Sequence, residues 1–294
     1  MSDSPVAVGL VGAGPWAGMV HAPALAAGPG TRLAGVWARR PEASAELAAR
    51  HGAPSFARIE ELFDACEAVA FSVPPDVQAE LAARAARAGK AVLLEKPLAM
   101  DLAGARLLAD AVAESGVASR MVFTLRYSAA ARAFLDRARD LDPFGGYGSF
   151  VSSTLGGGPF ATPWRLEKGA LLDLGPHMVD LLDAALGRVA GVRAHGDPLG
   201  WVGLTLEHES GAVSQASVSM AGAGDLPPAH VEVYGRHGHA RLDWSDLGDD
   251  AFARMVAEFA AAVRDTPEDG PRLDAAHGLR IQEILASAET QLTP

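Results

Sequence analysis

The chain has 294 residues, 49% of them hydrophobic, enough for two modest domains of about 100–200 residues each. A formal net charge of −11 with no long basic stretch argues against nucleic acid and anionic membrane as partners, and Cys66, standing alone, excludes an intrachain disulfide and a multi-cysteine metal site. The N-terminus MSDSPVAV has no basic segment leading into a long apolar one, and no window approaches about 18 uninterrupted apolar residues, so neither a signal peptide nor a membrane span is predicted and a cytoplasmic location is expected.

Residues 5–18 read PVAVGLVGAGPWAG, an apolar run that breaks into glycines and then opens an Ala-rich helical stretch. Val6, Val8, Leu10 and Val11 suit a buried strand. Gly12 and Gly14 allow a tight turn with no side chain between backbone and ligand, and Ala17 lets the next helix pack closely. The spacing is G-x-G-x-x-A. In this strand–turn–helix context it predicts a pyrophosphate site on the helix N-terminus, formed by Gly12, Gly14, Pro15, Trp16 and Ala17. Strands are predicted at 5–11, 32–37, 68–73, 91–94 and 120–124, with helices at 15–27, 41–51, 58–65, 76–89 and 101–115. This alternation predicts an α/β fold with a doubly wound parallel sheet over residues 1–125.

At the end of the second strand the sequence is GVWARRPEAS. A carboxylate here would read the 2′-hydroxyl of NAD; Ala38 stands in its place, followed by Arg39 and Arg40. The missing carboxylate removes repulsion against a 2′-phosphate, and a guanidinium binds phosphate in bidentate fashion. NADP is therefore expected ahead of NAD, the alternative being two solvated arginines at a helix start. Ser72, Val73 and Pro74 follow the third strand, where ligands sit in such sheets. The fourth strand ends in Glu95-Lys96-Pro97. A lysine at that position points into the ligand crevice and can steady a negative oxygen, although alone it reads equally as a surface residue. Only three of the 25 basic residues are lysines: Lys90, Lys96 and Lys168.

After residue 125 the rhythm changes. A helix at 128–138 leads into the glycine-rich stretch GGYGSFVSSTLGGGPF, a helix is predicted at 170–186, strands at 190–195, 200–208, 213–220, 230–235 and 239–243, and helices at 249–265 and 273–289. Short turns between the strands predict an antiparallel sheet in an α+β domain over 126–294. In GALLDLGPHMVDLL, helical spacing sets Asp173 and His177 at i and i+4, so an imidazole able to exchange a proton with an alcohol has a carboxylate one turn away. The alternative is a helix-terminal carboxylate and a half-buried histidine. His237 and His239 lack a third ligand, and no metal site is expected.

Together, the glycine fingerprint, the EKP strand end and the D-x-x-x-H helix resemble the Gfo/Idh/MocA oxidoreductase family. FSVPPDVQAELAARAARAGKAVLLEKPLA, MVFTLRYSAAARAF, PWRLEKGALLDLGPHMVD and GLRIQEILASA carry the same likeness. The resemblance implies an N-terminal Rossmann domain and a C-terminal α+β domain with an open, mostly antiparallel sheet that serves substrate binding and homo-oligomerisation. It implies hydride transfer between NAD(P) and a secondary alcohol or ketone of a sugar, cyclitol or related polyol. Lys96 would be the active-site lysine, Asp173 its carboxylate and His177 the acid/base. Ser72, Val73, Pro74, Glu95 and Lys96 would lie along the cofactor, and Arg126, Tyr127, Trp164 and Arg165 would contact substrate. Related chains of this fold act on biliverdin or trans-dihydrodiols, or bind dinucleotide as sensors without turnover, and these are the alternatives. Three departures from the family pattern stand out: Gln78 replaces a histidine common after the proline loop, the acid at position 38 is absent, and the second half is short.

Overall fold

A computed structural model describes residues 4–28, 30–248, 250–266 and 272–292. The chain divides into two compact units, one holding residues up to Thr124 together with Phe252–Leu279, the other Leu125–Ala251 together with Arg280 onward. Residues 252–279 thus pack with the first unit, whereas the linear reading put them in the second.

The first unit contains β1 (Val6–Val11), β2 (Thr31–Trp37), β3 (Ala68–Phe71), β4 (Ala91–Leu94) and β5 (Ser119–Met121). They form one sheet in the order β2-β1-β3-β4-β5, with every pair parallel. β1, β3 and β4 are buried at every position, which is why they read as unbroken apolar runs rather than alternating ones. The strand order reverses between β1 and β3, so the loops following these two strands flank the crevice where such sheets hold ligands. The fifth strand is shorter than predicted: Thr124–Tyr127 already turns as a 3-10 helix.

The helix predicted at 15–27 forms with a wide π-helical turn at Ala17–His21 before α1 (Ala22–Ala27). Pro23 lies just past it. Its ring crowds the carbonyl four residues back and it has no N–H to offer, and the helix widens ahead of it, the Ala22 N–H reaching Ala17 O. α2 (Pro41–Arg50), α3 (Ile59–Asp64), α4 (Pro75–Arg87) and α5 (Leu102–Ser115) complete the β-α alternation. Asp101 caps α5, its side chain accepting from the Gly104 N–H at 2.8 Å.

The second unit opens with α6 (Ala129–Asp140), capped by Ser128. Its sheet contains β6 (Pro143–Val151), β7 (Val189–Gly196), β8 (Val202–His208), β9 (Val213–Ser219), β10 (His230–Gly235) and β11 (Gly238–Asp243), in the order β11-β10-β6-β9-β8-β7. β6 and β9 pair in parallel; the other pairs are antiparallel. The glycine-rich stretch is thus an interior strand as far as Val151, where no strand is predicted, and continues as a 3-10 turn and irregular chain beyond it. Its glycines answer a packing need: a Cβ at Gly146 would lie 2.9 Å from Leu186 and one at Gly148 2.8 Å from the Met178 sulfur, both on α8 (Gly175–Leu186). The opposite face of the sheet carries Tyr147, Val213, Tyr234 and Arg241 and is exposed.

α7 (Pro163–Asp173) and α8 replace the single helix predicted at 170–186. α9 (Ala251–Val263) and α10 (Ala275–Glu289) correspond to the two closing helices; Asp249, at the predicted start of the first, lies outside the described residues. Among the described residues no helix is long and apolar enough to cross a membrane, and no three His, Cys, Asp or Glu side chains are grouped to hold a metal ion.

Candidate active site

In the first unit the loop after β1 is built on close main-chain approach. The Gly12 N–H bonds to Trp37 O at 2.8 Å, and the Ser72 N–H to Val11 O at 2.8 Å. Gly12 has φ +122°, and a Cβ there would lie 2.2 Å from the Ser72 carbonyl oxygen. Only glycine meets both conditions. Gly14 is different: a Cβ there would meet nothing within 4 Å. The fold needs no glycine at that position, and the open space beside it suits a ligand that approaches the backbone. Ala17 is wholly buried, as close packing of the helix on the sheet requires.

Glu95, just past β4, ties this loop to the EKP turn. Its Oε1 accepts from the Trp16 indole N–H at 2.6 Å and from His21 Nε2 at 2.7 Å, and its Oε2 accepts from the Lys96 backbone N–H at 3.2 Å. His21 is buried at the end of the π-helical turn, so the widened helix is what aims the imidazole at the carboxylate. Lys96 is half-buried, followed by a cis bond to Pro97. Ser72, Val73 and Pro74 are half-buried in the loop after β3. Gln78, wholly buried on α4, does not face outward. Its Nε2 reaches the carbonyls of Glu95, Leu98 and Pro97 at 2.7, 3.1 and 3.3 Å, and its Oε1 accepts from the Glu95 N–H at 2.8 Å.

Ala38, Arg39 and Arg40 follow β2, the two arginines exposed. Among the described residues neither guanidinium has a hydrogen-bond or ion-pair partner. The open position at Gly14 and these free donors fit a dinucleotide with its phosphates.

In the second unit Trp164, Arg165, Asp173 and His177 lie on α7 and α8. Gly169 breaks α7 with φ +69°; a Cβ there would lie 2.1 Å from Pro198 O, and the Ala170 N–H bonds to that same oxygen at 2.8 Å. This fastening sets the direction of the last helical turn, which carries Asp173. The i, i+4 relation read from sequence spans the junction of two helices: Asp173 ends α7, and His177 sits in the first turn of α8, where Leu174 O accepts from both the His177 and Met178 N–H groups at 3.2 and 3.4 Å.

The resemblance implies a substrate contact for Arg165. Its Nε donates to Asp173 Oδ2 at 2.9 Å, its Nη1 donates to Thr162 Oγ1 at 3.2 Å, and its guanidinium stacks 4.5 Å from the Trp164 ring centroid. The His177 ring is half-buried, 6.2 Å from that of Phe150. Arg126 and Tyr127 are buried, Tyr127 completely, and Arg126 Nη1 donates to Asp180 Oδ1 at 2.8 Å. A second buried acid on α8, Asp183, is gripped by both terminal nitrogens of Arg280 at 2.6 Å and also accepts from the Val189 N–H at 2.8 Å. That hydrogen bonding holds the Arg280 pKa above its ordinary value. Sequence reasoning missed these pairs; two aspartates in the apolar run MVDLLDAAL were the available signal, since a buried carboxylate requires a partner.

Comparison with known proteins matches residues 6–123 to the oxidoreductase family with an NAD-binding Rossmann fold, and residues 144–241 to the GFO/IDH/MocA C-terminal domain. D-apiose dehydrogenase of Paraburkholderia graminis is 35% identical over 176 residues, 54% of this chain and 46% of that protein. Inositol 2-dehydrogenase of Rhizobium meliloti is 34% identical over 124 residues, 42% of this chain and 37% of that protein. The chain thus spans about a third to a half of the length of the curated relatives it matches. Among solved structures, GenD2 from gentamicin A biosynthesis, in complex with NAD, superposes with a TM-score of 0.86 at 26% identity, covering 98% of this chain and 94% of that one. KijD10, a 3-ketoreductase from Actinomadura kijaniata solved with NADP, gives 0.80 at 23% identity over 98% of both chains and shares the fold. With a parallel Rossmann sheet, a glycine loop at its switch point, a mixed second sheet and both family domains matched in order, the chain belongs to the Gfo/Idh/MocA oxidoreductase family.

Proposed function

We propose that the protein is an NAD(P)-dependent oxidoreductase that interconverts a secondary alcohol and a ketone on a sugar, cyclitol or related polyol. The observation that carries this reading is the Glu95 carboxylate, which joins the open glycine loop to the turn bearing Lys96. The names of the relatives, inositol 2-dehydrogenase and D-apiose dehydrogenase among them, support a polyhydroxylated substrate. Gly12, Gly14, Pro15, Trp16 and Ala17 would line the pyrophosphate, Ser72, Val73, Pro74 and Glu95 the nicotinamide side, and Ala38, Arg39 and Arg40 the adenosine ribose. A bound nicotinamide supplies the hydride acceptor or donor. In the oxidation direction His177 takes the hydroxyl proton, and Lys96 donates a hydrogen bond to the same oxygen and offsets the negative charge that builds on it. In reduction His177 returns the proton. Asp173, held by Arg165 and Thr162 through one clamp, acts as the carboxylate of this set.

NADP is the proposed cofactor, because Arg39 and Arg40 are exposed and unpaired and no acid stands at position 38 to repel a 2′-phosphate. Arg165, half-buried and, among the described residues, bonded to Asp173 and Thr162 through Nε and Nη1 only, remains a proposed substrate contact together with the Trp164 ring stacked on it; Arg126, buried and bonded to Asp180, is assigned to holding α8, and Tyr127, completely buried, is not proposed to touch substrate. A second copy is proposed to cover the exposed face of the six-stranded sheet, where Tyr147, Val213 and Tyr234 are solvent-facing, and the setting is proposed to be the cytoplasm. The test is turnover of a polyol and keto-sugar panel with NADP and with NAD. Lys96→Ala is expected to abolish hydride transfer while NADPH affinity stays within about threefold, well under the tenfold that 1.4 kcal/mol represents. Full activity in that variant overturns the mechanism.

A further inference from the structure

We infer that Gln78 is a positioning residue for Lys96, acting through the main chain of residues 95–98. This rests on the proposed role of Lys96. A carboxamide has one acceptor oxygen and two N–H donors, and here all are used on one short segment. Oε1 takes the Glu95 N–H at 2.8 Å, and Nε2 serves the carbonyls of Glu95, Leu98 and Pro97 at 2.7, 3.1 and 3.3 Å, so one hydrogen is shared. The segment lies just beyond β4, whose last residue Leu94 accepts from the Val122 N–H at 2.7 Å. Past that point the parallel ladder no longer serves it, and Pro97 has no N–H to give. Lys96 stands between two residues whose carbonyls are both held by the same side chain. Gln78 is itself fixed: it is wholly buried, and its own N–H bonds to Pro74 O at 2.9 Å at the start of α4. The loop after β3 and the lysine turn after β4 are thereby joined through one residue, the first by its main-chain N–H and the second by its side-chain amide.

The glutamine chemistry matters for this role. A neutral imidazole has one donor and one acceptor, enough for the Glu95 N–H and one carbonyl. A leucine fills similar volume with neither. The variants Gln78→Leu and Gln78→His therefore grade the clamp from none to partial.

The chain has only three lysines, Lys90, Lys96 and Lys168, so the position of Lys96 is readable without any substrate. The full-length protein is labelled with acetic anhydride from pH 7 to 10, and the rate at each lysine is followed by peptide mass spectrometry. In Gln78→Leu the Lys96 rate is expected to change by about fivefold, with Lys90 and Lys168 within twofold, and Gln78→His is expected to fall between it and the natural protein. A Lys96 profile within twofold in both variants overturns the proposal, as does a joint rise at all three lysines, which would report general loosening. If Gln78→Leu does not fold, Gln78→His decides by the same criterion. Where a panel substrate turns over, kcat is expected to fall at least tenfold in Gln78→Leu with KM and NADPH affinity within threefold. Absence of turnover in the natural protein would sink the oxidoreductase reading and leave the labelling result to judge Gln78.

Discussion

Adding one methyl group at Gly12 and, separately, at Gly14 sets the two glycines of the nucleotide loop against each other. At Gly12 the new Cβ would lie 2.2 Å from the Ser72 carbonyl oxygen and 2.8 Å from its carbon, main-chain atoms that no side-chain rotation can move aside. The residue would also hold φ +122°, which L-amino acids rarely adopt. Backbone strain of about 1–3 kcal/mol and overpacking of about 1–3 kcal/mol give roughly 4 kcal/mol as a central figure. That is a large part of the ~5–15 kcal/mol that holds a domain folded, and at about 2–4 °C per kcal/mol it lowers the melting temperature by about 8–16 °C. At Gly14 the same methyl group would meet nothing within 4 Å, so stability is expected to stay within about 0.5 kcal/mol. Its effect falls on the ligand: NADPH affinity is expected to drop tenfold or more, about 1.4 kcal/mol. Circular dichroism melts and NADPH fluorescence titrations of Gly12→Ala and Gly14→Ala separate the two. A Gly12→Ala protein melting within 2 °C of the natural one, on the scale of about 2–4 °C per kcal/mol, or a Gly14→Ala protein binding NADPH unchanged, refutes the division of labour.

Replacing Arg39 and Arg40 by serine should weaken NADPH by about 1.5–3 kcal/mol per lost charge-assisted bond while NADH stays within threefold; tighter NADH binding by the natural protein would show the arginines do something else. Arg280→Ala strands the buried Asp183 carboxylate, and with Arg280 partly open to water the loss is expected near 2–3 kcal/mol in urea denaturation, below the ~3–5 of a fully enclosed pair; a loss under about 1 kcal/mol would contradict the pairing. In acid, Glu67 is held below the ordinary carboxylate range by hydrogen bonds from Arg264, Asp243 by Arg241, and Glu232 by Tyr234 and Arg241. Because their folded pKa values lie below the unfolded ones, the stability they add is complete above about pH 4–5 and fades as pH falls through the folded values. Urea midpoints between pH 6 and 3 should therefore decline less steeply in Arg264→Ala and Arg241→Ala, and parallel declines would disprove the coupling.

The Rossmann half was legible because its information is local. Buried parallel strands are continuous apolar runs, and Gly12 announces a turn that only glycine can make. The second half was less so. In PFGGYGSFV the glycines hide a strand, yet they are bare because Leu182, Leu186 and Met178 of α8 press on that strand, a long-range demand that no neighbouring residue reports. Gly169 likewise breaks a helix for the sake of Pro198, 29 residues away in the chain, and the separate junction at Leu174 interrupts the simple helical spacing from Asp173 to His177. The return of residues 252–279 to the first unit was invisible for the same reason: an amphipathic helix shows that it has an apolar face, not which sheet will cover it. Gln78 was noticed, but as an absent histidine; that its amide would turn inward onto residues 95–98 depended on the loop geometry.

Ala38, Arg39 and Arg40 are tethered to the scaffold by their backbone alone. Substitutions of free surface side chains generally change stability by no more than about 0.5 kcal/mol, so this tripeptide can be rewritten with little penalty to folding. On the proposed assignment of these residues to the adenosine ribose, coenzyme choice would be uncoupled from architecture, and a lineage or a designer could exchange one redox pool for the other through two or three codons, leaving the rest of the molecule untouched.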